Sequence, residues 1–147
     1  MTDNGHEVLT EELLERLLAS ASPEAYLASA PTEARDLAAY LHDLINARGI
    51  GRADVIRASG VNATFCYQVF QGTRRPGRDT ALMLAFGIGC SLRETQRLLR
   101  LAGDAELWVR NRRDAIIIHC LSAGLSREEC DDALYRLGEA TLFAAGE

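Results

Sequence analysis

The chain contains no lysine, one tryptophan, three prolines and no long uncharged apolar stretch. A transmembrane helix needs about 18 to 20 consecutive apolar residues, so that class is excluded. The opening Met1-Thr2-Asp3-Asn4-Gly5 lacks the basic start and apolar run of a secretory signal, and the expectation is a cytoplasmic protein. Period-2 alternation rich in Val, Ile and Thr is missing, which removes the usual signature of half-buried strands. Cys66, Cys90, Cys120 and Cys130 form no CxxC pair and no close Cys/His grouping. They read as buried free thiols, with no metal and no cofactor expected. His119 and Cys120 are neighbours, but adjacent helical residues point about 100° apart and would need outside partners to hold an ion.

What is present suits one compact domain, or one with a short appendage: 147 residues, 48% hydrophobic and 25% charged. A chain of this length can bury a core without disulfides or metal. The formal charge of -5 conceals three blocks: -7 over residues 1–47, +7 over 48–113 and -5 over 114–147. All sixteen basic residues are arginine. That favours forked contacts to phosphate or carboxylate, and a G+C-rich genome would produce the same bias.

Nearly every apolar run follows a three-to-four spacing, which makes the chain all-α. An amphipathic helix is expected from about residue 10, carrying Leu13, Leu14, Leu17 and Leu18 with Leu9 ahead of it. Ser22-Pro23-Glu24 reads as an N-cap and N1 proline for a short helix over 23–29. Thr32 can cap a helix over 33–48 that stops at Gly49. Further helices are expected over 52–58, 63–71, 78–88 and 92–102, the last opened by the capping box Ser91-Leu92-Arg93-Glu94. A final pair is expected over 112–123 and 127–137. Residues 78–103 align without a gap on 113–138, with identities that include Arg78/Arg113, Asp79/Asp114, Gly89/Gly124, Ser91/Ser126 and Glu94/Glu129. Either two similar hairpins stand in series, or any two capped helix pairs share such punctuation.

The segment from Arg52 to Gly72 carries the functional signal. Gly60 sits where the chain must turn with positive φ, Val61 is the buried residue after it, and Asn62 caps the next helix. On that helix Cys66, Val69 and Phe70 face inward, leaving Thr64, Tyr67, Gln68 and Gln71 as one outward stripe with Ala63 at its start. Glutamine can pair bidentately with adenine in the major groove, and hydroxyls and methyls tolerate or sense thymine. Arg48, Arg52, Arg57, Arg74, Arg75 and Arg78 surround the stripe against Asp54 alone. Phosphate contacts from such arginines would supply affinity and register.

With the Gly72-Thr73-Arg74-Arg75-Pro76 loop and the helix of Ala81, Leu82, Leu84 and Ala85, this segment resembles the phage-repressor and Cro-like helix-turn-helix family, the XRE family. The resemblance covers residues 35–103. It implies a five-helix lambda-repressor-like domain over 32–103, between N-terminal amphipathic helices over 1–31 and a C-terminal helical-hairpin extension over 104–147. It further implies a bacterial transcription regulator that binds double-stranded DNA as a homodimer on paired half-sites, nucleoid-associated when bound. Ala63, Thr64, Tyr67, Gln68 and Gln71 would read bases, while Arg52, Asn62, Arg74, Arg75 and Arg78 would contact phosphate. Two residues depart from the family pattern. Ile56 stands where a small residue four before the turn glycine is usual, and Cys66 where an aliphatic is usual. A large-for-small and small-for-large exchange can compensate within one core, or the helix crossing and the reading surface have changed.

Other readings follow from the same residues. Arg74 and Arg75 could solvate a loop, and Tyr67 could cover the core edge. Arg110, Arg112 and Arg113 could contact phosphate, anchor the acidic C-terminal block, or solvate a helix start. The leucine stripe could dock on the protein's own core or pair two subunits, as could the C-terminal hairpins. His6, His42 and His119 lack local catalytic partners, and no nucleotide-binding or hydrolase motif occurs, so an enzyme is not expected. The alternative function is a helix-turn-helix-derived adaptor that binds another protein in a signalling pathway, through its arginine face and acidic ends.

Overall fold

A computed structural model describes residues 2–29 and 33–143, and every regular element among them is a helix. The chain parts into two compact units at residues 32 and 33. In the first unit, α1 (Thr2–Ala19) begins well before the residue-10 start expected from its leucines. Helix α2 (Pro23–Ser29) opens as its sequence predicts, with Ser22 Oγ accepting from the Ala25 amide at 3.1 Å. Leu14, Leu17, Leu18 and Leu27 are exposed. The Leu9 side chain and Thr32, the expected cap, lie outside the described residues.

The second unit contains α3 (Glu33–Arg48), α4 (Arg52–Ser59), α5 (Ala63–Gln71), α6 (Arg78–Ile88), α7 (Leu92–Leu101), α8 (Arg112–Ser122) and α9 (Arg127–Arg136). Local signals set these boundaries. The Gly51 amide donates to Asp54 Oδ2 at 2.9 Å to start α4, and Gly60 ends it at φ 79°. Buried Ser59 accepts the Val61 amide on its Oγ at 3.1 Å, which fixes the tight turn into α5. Asn62 Oδ1 then accepts from the Phe65 amide at 3.1 Å, the expected cap.

Leu37, Leu41, Val55, Cys66, Val69, Phe70, Leu82 and Leu98 belong to a core that also takes in Leu107, Ile117, Cys120, Leu121, Cys130, Leu134 and Leu142. The helices after residue 103 therefore share one hydrophobic interior with those before it, and no unit boundary falls at the expected 103/104 division. Within this core α4 lies on α6, with α3 against α5 and α7. Gly87 permits the first contact. A Cβ there would stand 2.7 Å from Ser59 Cβ and 2.9 Å from the Ser59 nitrogen. The small residue that lets two helices close up is thus on α6, and Ile56 is left half-buried against the core.

The two hairpins α6–α7 and α8–α9 repeat one another beyond their sequence match. Ser91 and Ser126 cap α7 and α9, each accepting an amide at 3.1 Å from Glu94 or Glu129. The Leu107 amide donates to Gln96 Oε1 at 2.7 Å, and 35 positions later the Leu142 amide donates to Asp131 Oδ1 at 2.6 Å. Arg78 donates to both Asp114 oxygens at 2.9 and 2.8 Å, while Arg113 donates to both Asp79 oxygens at 2.9 and 3.1 Å. Helix α6 meets α9, and α7 meets α8. Exchanged partners of this kind are the mark of a two-fold axis between the hairpins, as in an isologous interface, and not of a linear stack.

Candidate functional site

Helix α5 presents the stripe expected from its spacing. Ala63, Thr64, Tyr67 and Gln71 are exposed, Gln68 is half-buried, and Cys66, Val69 and Phe70 are in the core. Asn62 is exposed and spends its Oδ1 on the α5 cap. Burial raises the Cys66 thiol to about 11 against a small opposing pull from Arg52, so this inward residue stays neutral and unreactive at physiological pH.

The six arginines around the stripe divide into two groups. Arg52 lies over the Tyr67 ring at 5.2 Å and Arg74 over the Phe65 ring at 5.1 Å. Both are exposed, and neither forms an ion pair among the described residues. The other four are engaged within the protein. Arg48 donates to Glu94 Oε1 at 2.6 Å, and Arg57 is paired with Asp54. Arg75 donates through Nε and Nη2 to the Ala102 carbonyl at 3.3 and 2.9 Å. Arg78 adds the carbonyls of Ala105 and Glu106 to its Asp114 pair, so four of its five donors' directions point into the protein. Arg78 acts as a strut between the hairpins, which leaves it a poor candidate for a phosphate.

These pairs are electrostatically consistent. Burial pushes the Asp114 carboxyl up, but the Arg78 hydrogen bonds, the Trp108 amide and the charges of Arg78 and Arg113 outweigh it and hold the group below its ordinary value. Glu94 is likewise lowered against the cost of burial, by Ser91 and Arg48. Arg112 and Arg113 are committed as well. Arg112 donates to the Leu137 carbonyl at 2.8 Å and pairs with Glu139 at 3.6 Å; Arg113 holds Asp79 and the Ala140 and Thr141 carbonyls. Of the three readings for this cluster, anchoring the acidic C-terminal block matches the geometry of these two.

Beside the stripe lies a cleft of about 460 Å³ lined by Val61, Thr64, Phe65, Gln68, Met83 and Phe143. Sequence spacing could not anticipate Phe143, which comes from beyond α9 and stacks under Arg127 at 4.9 Å. Among the described residues no group of His, Cys, Asp or Glu is placed to hold a metal ion. No described helix is long and apolar enough to cross a membrane. No family model, curated protein or solved structure matches this chain.

Proposed function

We propose that this protein is a sequence-specific, DNA-binding transcription regulator of the lambda-repressor-like helix-turn-helix type, with α5 in the major groove. The observation that carries the reading is the stripe of exposed Thr64, Tyr67 and Gln71 with half-buried Gln68, on a helix entered by a tight glycine turn and capped by Asn62, and flanked by Arg52 and Arg74, which have no acidic partner among the described residues. Phosphate attraction through Arg52 and Arg74 docks the protein, and the amide and hydroxyl side chains then choose the sequence. Two copies on half-sites one helical turn apart would double the small number of phosphate contacts each can make.

The test is selection of genomic fragments on the purified protein, followed by titration of the bound sites at two salt concentrations. A shared paired motif is the expected result, with Gln68→Ala relaxing the choice at one base position by about 1 to 3 kcal/mol while nonspecific affinity stays level. Replacing Arg52 and Arg74 with alanine should flatten the salt dependence by about two phosphate contacts. Motif-free binding, or none, would favour the adaptor reading instead. That second reading draws on the apolar cleft against Thr64 and Gln68 and on the internal commitment of Arg48, Arg57, Arg75 and Arg78, which thins the positive face.

A further inference from the structure

The cleft of about 460 Å³ beside the α5 stripe takes its lining from the turn at Gly60, from α5, from Arg74 in the loop after it, from α6 and from Phe143 beyond α9. A volume of this size suits a compact organic molecule. A docking helix needs a trough with anchor sites spaced along several turns, whereas this lining converges on the first two turns of α5. The far wall is held in place before anything binds. The Leu142 and Phe143 amides donate to the two Asp131 oxygens at 2.6 and 3.2 Å, and Asp131 is itself buried. A preformed wall spares a ligand the cost of ordering it.

Charge narrows the choice of ligand. Arg74 is the charged residue in the lining, and no carboxylate shares it. Its guanidinium lies over the Phe65 ring at 5.1 Å, is exposed, and forms no ion pair among the described residues. The other guanidinium close by, that of Arg127 over the Phe143 ring, is already answered by Glu128 at 3.0 Å and Asp131 at 2.7 Å. The apolar surface of Val61, Phe65, Met83 and Phe143 therefore ends at one unmatched positive charge.

We propose that this cleft binds a small aromatic carboxylate, with its ring on Phe65, Met83 and Phe143 and its carboxylate on Arg74. Phenyl rings and a thioether favour a planar aromatic body, and the planar fork of a guanidinium matches a carboxylate. Thr64 and Gln68 border the same cleft. A bound acid thus takes up two side chains of the stripe and one of its two unpaired cations. If α5 reads DNA, acid and DNA exclude each other, and the acid acts as an inducer that releases the protein from its sites. That consequence rests on the proposed function, and the site itself does not.

Methionine occurs twice, as Met1 and Met83, so the full chain isotopically labelled at its methionine methyls carries one reporter in the cleft and one at the N-terminus. Titrated with 2-naphthoate at neutral pH and without DNA, the Met83 methyl resonance should shift under the ring current of the ligand. It should saturate with a dissociation constant at or below about 1 mM, the level that a ligand of this size reaches at ordinary efficiency. The neutral 2-naphthalenemethanol, with the same rings, should bind about 5- to 10-fold more weakly. Arg74→Gln should bring the acid to the level of the alcohol and leave the alcohol unchanged. A Met83 signal that stays still with 2-naphthoate overturns the proposal, and so does an acid that binds no better than the alcohol or keeps its advantage in Arg74→Gln. So does a cleft closed to the acid in the full chain and opened by Leu14→Glu with Leu18→Glu, which would mean that leucines of α1, from this chain or a second copy, fill it. Competition is read separately: on DNA recovered by selection, 2-naphthoate at ten times its dissociation constant should weaken binding about tenfold. Unaltered DNA affinity at that concentration removes the inducer role. Selection that recovers no DNA while Met83 still responds removes the proposed function and leaves the site standing, so the two ideas fail separately.

Discussion

A methyl group added at Gly87 has nowhere to go, because the atoms it would meet are the Cβ and backbone nitrogen of Ser59, together with the Val55 carbonyl at 3.0 Å. None of these is the loose end of a flexible side chain. Gly87→Ala should therefore force α4 off α6 and cost about 1 to 3 kcal/mol in urea denaturation, even though alanine is the better helix former. A neutral or stabilising result would mean that the two helices can part without penalty. Asp114 makes a second residue-scale prediction. Its folded value lies below its unfolded value, so the stability it lends is complete above about pH 4 and is lost as pH falls through the lower folded value. Asp114→Asn should remove about 1 to 3 kcal/mol at neutral pH, less than for a fully buried pair because Arg78 is 27% exposed. The variant should also lose stability less steeply on acidification, since this carboxylate no longer has to be protonated; parallel acid limbs would count against the assignment.

At the scale of elements, the repeated hairpins can be compared directly. Ser91 and Ser126 make the same cap, at the same distance, with the same returning glutamate. Each serine-to-alanine change should cost about 1 kcal/mol, and thermal melts of the two single variants should agree within error. A large difference would show that the equivalence ends at the backbone. These caps also explain what could be read in advance. The helices from Pro23 to Arg136 start and stop within a residue or so of their expected positions, because Ser22, Asn62, Ser91 and Ser126 act on amides three residues away. The expected start of α1 rested on its leucines, which mark only the stretch with an apolar stripe. On α5, Thr64, Tyr67, Gln68 and Gln71 were legible because a helical period alone separates them from Cys66, Val69 and Phe70. The fates of the arginines were hidden. Arg48 finds its partner 46 residues away, Arg78 finds Asp114 36 away, and Arg75 finds a carbonyl 27 away. Local pattern counts charges, and only the packed chain decides which are already used. The matches Arg78/Arg113 and Asp79/Asp114 were visible as identities, but their exchange of partners was not.

For the molecule as a whole, the shared core and the crossed ion pairs predict that residues 33–143 melt as one cooperative unit. A chain cut after residue 103 exposes the core surfaces that met Ile117, Leu121 and Leu134, and it strips Arg78 of Asp114 and Asp79 of Arg113. It should lack a sigmoidal thermal transition, and a truncated chain that melts cooperatively would show that α4 and α5 stand without the second hairpin. The crossed pairs also govern when the protein becomes competent during synthesis. Helices α4 and α5 leave the ribosome before either hairpin, yet the helix on which α4 rests is clasped only when Asp114 follows Arg78, 36 residues later. At the usual pace of translation that is a delay of about 2 to 7 s, during which the α5 stripe exists in sequence but has no finished seat.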